Sequence, residues 1–306
     1  MVSLQGVFLV LLAPAAAGWV SVLKARLQGR RGPSPWRPYW QLLKLFDKTA
    51  MVPEGASWLF TSAPYIVFAA TVAASLLVPV FWPPATPAMG DAVVLVGLLA
   101  LARFFTALAA MDPGSAFGGM GASREMTLSA LGEPALLMSI FVLSTAADST
   151  ALGPMADAAL EAHLGLRPSL AFALAALVLV AIAECGRIPV DNPTTHLELT
   201  MVHEAMILEY SGRHLALMEW AAHIRLLLFA TLIVNLFFPL GLAVGGGGWL
   251  APLAWVVKIA VVLASLALLE TWMAKMRIFR VPEYLAVAFL LGLLGMLSHY
   301  ILEVGA

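Results

Sequence analysis

Residues 184–220 read ECGRIPVDNPTTHLELTMVHEAMILEYSGRHLALMEW and separate two long apolar runs, 168–184 and 219–240. This polar stretch holds six of the chain's 18 acidic residues and three of its six histidines. Both flanking runs approach the length of about 20 residues that a helix needs to cross a membrane. A concentrated group of titratable side chains between membrane-length segments therefore needs a physical explanation.

Composition places the chain in the membrane class. Hydrophobic residues make up 61% of the 306 residues and charged residues only 11%, whereas a soluble domain has about 25% charged residues. The net charge of −1 excludes a basic nucleic-acid surface. The single cysteine, Cys185, excludes an intrachain disulfide and a thiolate ligand set for zinc or an iron–sulfur cluster. Electron carriers in this system would therefore belong to another subunit.

Eight apolar runs are long enough to predict membrane-spanning helices. The prediction is an all-α polytopic membrane protein with a single membrane domain over 1–306 and no internal repeat or soluble domain. The predicted spans are 2–23, 60–82, 90–111, 127–147, 168–184, 219–240, 249–271 and 283–303. The first run is interpreted as a retained helix, because basic residues follow it, whereas a signal peptide begins with them.

The distribution of basic residues predicts the orientation. Alternate connecting segments carry 13 of the 17 Lys and Arg residues, and such segments face the cytoplasm. They are 24–59, 112–126, 185–218 and 272–282. Both termini are therefore predicted to lie outside a bacterial or archaeal plasma membrane.

The segment 24–59 mixes aromatic and aliphatic residues with basic ones and is too polar to span a membrane. This composition predicts a helix that lies at the membrane interface. A basic loop that holds the topology and touches anionic lipid is an equally good interpretation.

Five charged residues lie inside or near the ends of apolar runs: Arg103, Glu133, Arg225, Lys258 and Glu270. A charge at the centre of a membrane helix costs at least about 2.5–3.5 kcal/mol, so such residues usually face protein or water. For Glu270, close to Lys275 and Arg277, we favour either a side chain that extends to the membrane surface near a helix end or a structural ion pair. For Glu133 we favour a role in a hydrated route for protons or ions.

Capping signals predict a helix over about 194–211 within the polar stretch. Thr195 and Glu198 have capping-box spacing, Pro193 suits a first turn, and Gly212 is expected to end the helix. A solvated helix is the simpler interpretation of its charges. His203-Glu204 begins like the zinc-protease motif HExxH, but position 207 is Ile, so the second ligand is missing and zinc catalysis is set aside.

The same stretch resembles the signature of subunit 1 of respiratory complex I. The matching residues are Ala183-Glu184, Arg187, Pro189, Asp191, Pro193 and Glu198-Leu199, followed by Glu209-Tyr210-Ser211-Gly212. The resemblance extends to Gln28-x-Arg30-x-Gly32-Pro33 and to Arg124, nine residues before Glu133. It covers nearly the whole chain, and the number of spans also fits.

The departures from that signature favour one branch of the family. Thr194 and His196 stand where the complex I pattern has acids, and three more residues separate Glu198 from Glu209 than that pattern allows. Two segments are more similar to the membrane subunit of formate hydrogenlyase, hydrogenase-4 and related energy-converting [NiFe] hydrogenases. They are RIPVDNPTTHLELTMVHEAMILEYSG and DPGSAFGGMGASREMTLSALGEPALL.

The resemblance implies a coupling and docking subunit that binds no redox cofactor itself. Its expected partners are an iron–sulfur small subunit, a [NiFe]-hydrogenase-like large subunit and antiporter-like membrane subunits, with the clusters and any nickel in those partners. The implied proton-coupling residues are Glu133, Glu184, Asp191, Glu198 and Glu209, with Arg124 and Arg187 as charge partners. His196 and His203 are candidate relays, and Arg30, Trp36 and Arg37 are candidates for docking.

Two other functions stay open at this point. The chain could be the quinone-site subunit of a complex I type dehydrogenase, in which case quinone would bind at the cytoplasmic membrane face. It could also be a passive anchor or an independent transporter, although no inverted repeat favours the latter.

Overall fold

The computed structural model describes residues 2–81, 90–161, 167–191, 201–239 and 250–304. These residues form α-helices joined by turns, with a 3₁₀-helix at Ile278–Arg280 and a π-helical segment at His299–Val304. The helices are α1 (Val2–Leu27), α2 (Arg37–Phe46), α3 (Trp58–Leu77), α4 (Ala92–Met111), α5 (Ala116–Ala147), α6 (Leu152–Glu161), α7 (Pro168–Glu184), α8 (His203–Ile207), α9 (Gly212–Phe237), α10 (Ala251–Trp272) and α11 (Val281–Ser298).

Seven described helices are long and apolar enough to cross a membrane, and α7, with 17 residues, is a shorter apolar helix. The prediction of an all-α polytopic membrane protein with about eight spans is therefore confirmed. Two starting points differ from the prediction: α5 begins at 116 rather than 127, and α9 at 212 rather than 219. Both helices extend past their apolar runs into a charged region.

Helix α9 is the centre of the bundle. Of its most apolar part, 83% is buried, against 22% for α10 and 28% for the span that contains α11. It packs against α1, α3, α7 and α10, and also against the short helices α2 and α6. The sequence did not predict α6, whose Leu152 and Met155 are fully buried in the same core as α9.

Helix α2 is amphipathic, as the interfacial-helix prediction required. Leu42 is buried, whereas Trp40 and Leu43 are 65% and 61% exposed. The Tyr39 hydroxyl donates a hydrogen bond to the Leu11 carbonyl of α1 at 2.6 Å. The buried edge therefore anchors α2 to the bundle, and its exposed apolar face is free to meet the membrane surface.

The predicted helix over 194–211 is wrong in the part that the structure describes. Residues 192–200 lie outside the described residues, and in 201–211 only the five residues of α8 are α-helical. Gly212 begins α9 instead of ending a helix. Tyr210 donates to the Phe60 carbonyl at 3.0 Å and stacks on the Phe60 ring, so contacts with α3, rather than local helix signals, fix this turn.

Gly212 lies in close contact with the segment that follows α2. Its φ is +52°, and an added Cβ would stand 2.5 Å from the Thr49 carbonyl oxygen. The Met51 amide also donates to the Ser211 hydroxyl at 2.8 Å. Only glycine fits both this conformation and this close approach.

We expect Gly212→Ala to destabilise the protein by more than the roughly 1–2 kcal/mol that a left-handed conformation alone costs a non-glycine residue. The backbone clash adds to that figure. Thermal unfolding of the purified protein measures the effect as a lower Tm. Gly119→Ala in α5 is the control, because nothing lies within 4 Å of an added Cβ there. Equal Tm values for the two variants would contradict the prediction.

Candidate functional site

A buried arginine stands at the centre of the titratable residues. Arg103 lies in α4, and its side chain is 5% exposed. Its Nε is 3.5 Å from Glu125 Oε1 and its Nη1 is 3.3 Å from Glu133 Oε1, both on α5. Its Nη2 forms an ion pair with Glu184 at the end of α7. One guanidinium thus joins three carboxylates from two helices, and we call these four residues the Arg103 cluster.

The charges of the Arg103 cluster do not balance by themselves. Arginine offers five N–H donors and no acceptor, so it can serve several carboxylates at once, but it supplies only one positive charge. Arg225 of α9 is a second cation at this place, where its Nη1 donates to the Glu184 carbonyl oxygen at 3.3 Å. Three carboxylates beside two arginines leave an excess of one negative charge. An uneven count of charges of this kind is a condition for proton exchange.

The cluster reaches from the interior to a lateral face of the bundle. The side chain of Glu184 is 5% exposed, whereas that of Glu133 is 37% exposed. Arg103 and Glu133 line a groove of about 450 Å³ between α4 and α5, together with Phe104 and Ser129. The carboxylate of Glu133 is therefore accessible from the side, while that of Glu184 is enclosed.

On the other side, Asp191 and His203 connect the cluster to the polar stretch. Asp191 Oδ2 accepts hydrogen bonds from the Val202 and His203 amides at 3.1 and 3.2 Å, and Asp191 Oδ1 pairs with Lys275 Nζ at 3.2 Å. His203 lines two small cavities of about 10 Å³ each, both of which also touch Glu184 and Arg225. A volume of this size is about the minimum for one water molecule.

The imidazole of His203 is held neutral at physiological pH. Burial and the nearby Arg225 guanidinium lower the pKa of His203 to about 4, and the opposing effect of Asp191 is weaker. A neutral imidazole has one nitrogen that donates and one that accepts. The His203 ring therefore offers one donor and one acceptor nitrogen to the cavities beside Glu184, while its backbone amide holds Asp191.

This pKa predicts how stability depends on pH. Between pH 4 and about 6.5 the unfolded chain binds a proton at His203 that the folded chain does not, so the free energy of unfolding falls as pH falls through that window. We expect His203→Gln to reduce the loss of Tm between pH 7 and pH 5. Glu204→Gln should do the opposite, because burial, together with Asp191, raises the pKa of Glu204. A His203→Gln protein with an unchanged pH profile would contradict this.

A second group of charges is separate from the Arg103 cluster. Glu270 of α10, with a side chain only 1% exposed, lies 2.7 Å from Lys24 Nζ and 3.4 Å from Arg187 Nη1. The expected structural ion pair is present, but with Lys24 and Arg187 rather than with Lys275 and Arg277. Lys258 donates to the Phe238 carbonyl at 3.0 Å, where a cation stabilises the carboxyl end of α9.

The structure brings together only part of the predicted site. Glu133 and Glu184 meet at Arg103, and Asp191 and His203 meet beside them. The other candidates lie elsewhere: Arg124 donates to the Met201 carbonyl at 3.1 Å, Arg187 pairs with Glu270, Glu209 is partly exposed in the turn before α9, and Arg30, Trp36 and Arg37 are exposed around α2. Glu198 and His196 lie outside the described residues. The roles of all these residues stay predictions.

Sequence reasoning missed Glu125 as a member of the site. Glu125 lies in the predicted connecting segment 112–126, before the predicted span 127–147, whereas α5 already begins at 116. Arg103 was recognised as a charge in a span but not as the centre of the cluster. The one available signal was that an arginine inside an apolar run requires carboxylate partners.

Comparisons with known proteins agree with this architecture. The NADH dehydrogenase family profile matches residues 1–300. Formate hydrogenlyase subunit 4 of Escherichia coli (strain K12) is 32% identical over 300 residues, which cover 96% of both chains. Hydrogenase-4 component C of the same organism is 36% identical over 242 residues, covering 78% of this chain and 75% of the relative.

More distant relatives extend the comparison. A subunit of the NADH-quinone oxidoreductase of Anaplasma phagocytophilum (strain HZ) is 28% identical over 255 residues, covering 75% of this chain and 70% of the relative. A chain in the structure of the membrane-bound sulfane sulfur reductase, an archaeal respiratory membrane complex, has the same fold, with a TM-score of 0.80 at 19% identity and coverage of 97% and 98%. The chain therefore belongs to the NADH dehydrogenase family of membrane subunits, together with formate hydrogenlyase subunit 4, hydrogenase-4 component C and the related subunit of NADH-quinone oxidoreductase.

Proposed function

We propose that this chain anchors a membrane-bound hydrogenase of the formate hydrogenlyase or hydrogenase-4 type and couples its redox reaction to ion translocation. The observation that carries the proposal is the Arg103 cluster, in which three carboxylates share one buried guanidinium. The similarity to formate hydrogenlyase subunit 4 and hydrogenase-4 component C supports the class of complex. The redox centres, iron–sulfur clusters and a [NiFe] site, would be carried by partner subunits.

The order of the groups supports a relay from the cytoplasmic side towards the lateral face. A charge change in a docked redox subunit would first alter the protonation of Asp191 and His203. Through the cavities beside Glu184 it would then reach the Arg103 cluster, where a carboxylate that gains a proton weakens its hold on the guanidinium and strengthens that of its neighbours. Glu133 would end the path at the groove between α4 and α5.

The partners follow from the two ends of this path. The cytoplasmic segments, including Arg30, Trp36 and Arg37, would dock the iron–sulfur small subunit and the [NiFe]-like large subunit. Antiporter-like subunits would continue the membrane arm from the lateral side. This arrangement requires both termini to lie outside the plasma membrane, which reporter fusions at residue 306 can check.

The test compares Glu133→Gln and Glu184→Gln with the control Glu54→Gln, which changes an exposed carboxylate in the first cytoplasmic segment. Proton or sodium transport and redox turnover are measured together in sealed vesicles. We expect transport per turnover to fall about tenfold or more in the two cluster variants, because each loses a proton-transfer group. An unchanged ratio in both would refute the coupling role.

The relationship to the NADH-quinone oxidoreductase relative favours a second candidate, the quinone-site subunit of a complex I type enzyme. The two functions make different predictions for the complex isolated in mild detergent. Hydrogenase function requires nickel and iron in a partner subunit. Quinone-dependent turnover and a bound quinone headgroup would instead favour the second candidate.

A further inference from the structure

An apolar cavity of about 230 Å³, which shares no lining residue with the groove at Glu133, lies between α7, α9 and α10. Its floor is α9, where Leu226, Phe229 and Ala230 are buried. Helix α10 packs on α1 and α9, and α7 packs on α5, α9 and α11, so the cavity is the cleft between α7 and α10. Its residues take no part in the ion pairs of the Arg103 cluster.

The length of the cleft corresponds to one leaflet of a membrane. Along α9 its lining runs from Leu226 to Phe238, a rise of about 18 Å at 1.5 Å per residue. Half the hydrocarbon core of a bilayer is about 15 Å thick. The lining is almost entirely aliphatic and aromatic, which suits a single hydrocarbon chain. It offers a polar ligand few hydrogen-bond partners.

One end of the cleft carries a positive charge. Arg187 lines the cleft just beyond the end of α7, and its side chain is 20% exposed. It shares Glu270 with Lys24, so two cations meet one carboxylate there. The resulting excess of one positive charge, at the mouth of an apolar cleft and near one membrane surface, is complementary to a phosphate group.

We propose that the cleft between α7 and α10 binds an anionic phospholipid, with one acyl chain on α9 and the headgroup phosphate at Arg187. The lipid comes from the leaflet on the Arg187 side. The acyl chain fills the cleft beside the buried carboxylate of Glu270 and keeps water from entering between α7 and α10.

The test uses the membrane complex that contains this chain, reconstituted in nanodiscs. Phosphatidylglycerol with a photoreactive diazirine in one acyl chain is compared with phosphatidylcholine carrying the same chain, and labelled peptides are mapped by mass spectrometry. We expect phosphatidylglycerol, whose headgroup has a net negative charge, to label peptides from 174–185, 226–238 and 262–269 about fivefold more than zwitterionic phosphatidylcholine does, the ratio for one cation beside an anionic headgroup.

Four variants separate the contribution of the lipid headgroup from that of its acyl chain. Arg187→Gln should remove the preference for phosphatidylglycerol, and Arg187→Lys should retain it. Ala230→Phe fills the floor of the cleft and should abolish labelling by both lipids, whereas Ala260→Phe, on α10 outside the cleft, should not. Equal labelling by the two lipids, labelling spread evenly over the lipid-facing helices, or occupation of the cleft by a helix of another subunit or by a quinone would overturn the proposal.

Discussion

Replacing Arg103 with glutamine is expected to cost the protein about 3–5 kcal/mol of folding free energy, the range for removing one partner of a buried ion pair. The reason is the number of carboxylates that depend on it. Glu125, Glu133 and Glu184 all approach its guanidinium, and the Glu184 side chain is as enclosed as that of Arg103 itself. Without the cation, these acids must take up protons or draw in water.

The measurement is thermal unfolding of the purified complex, together with the amount of this chain assembled in the membrane. Arg26→Gln is the matched control, because Arg26 is exposed at the end of α1. Adding Glu184→Gln to Arg103→Gln should recover part of the lost Tm, since the double variant no longer buries that carboxylate without a partner. A double variant whose loss equals the sum of the single losses would contradict the interaction.

Replacing Glu270 with alanine is expected to have the second-largest effect on stability. It leaves Lys24 and Arg187 close together without their shared carboxylate. We expect a loss of roughly 2–3 kcal/mol, below the range for a fully buried pair, because both cations stay about one fifth exposed. The Tm of the purified complex measures this loss, and Glu283→Ala, at an exposed position of α11, is the control.

The same variant also distinguishes a structural ion pair from the coupling path. Glu270→Ala should lower Tm while ion transport per redox turnover stays unchanged in the complexes that remain folded. Glu184→Gln should lower that ratio. If Glu270→Ala uncoupled transport as strongly as Glu184→Gln, Glu270 would have to be added to the relay.

The membrane spans could be predicted from the sequence because the bilayer selects for length and apolarity alone. The predicted first residues of α5 and α9 were wrong because these parts of the helices are surrounded by protein rather than by lipid. Helix α5 is 32 residues long, about 48 Å, and its N-terminal part carries Arg124 and Glu125 among other helices rather than in hydrocarbon. A search for runs with few charges therefore places the first residue of this helix too late in the sequence.

The partners within the site could not be predicted for a different reason. Arg103 and Glu184 are 81 residues apart, and Arg103 and Glu133 are 30 apart. No local pattern says which of several carboxylates a cation will meet, because the answer depends on how α4, α5 and α7 pack. Likewise, a glycine that follows a helical pattern is typical of a helix end. Gly212 instead begins α9, and it is the long-range contact with the Thr49 carbonyl that requires a glycine there.

The central position of α9 has a consequence for how the chain is made. Helices α1, α3 and α4 leave the ribosome long before α9, although α1 and α3 pack against it. At about 5–20 residues per second, the roughly 200 residues between α1 and α9 take about 10–40 s to synthesise. During that time the hydrogen bond between Met51 and Ser211, 160 residues apart, cannot form. The early helices therefore stay in the bilayer without their packing partner until α9 is made. A nascent chain that stops before residue 212 lacks the helix against which α1 and α3 pack.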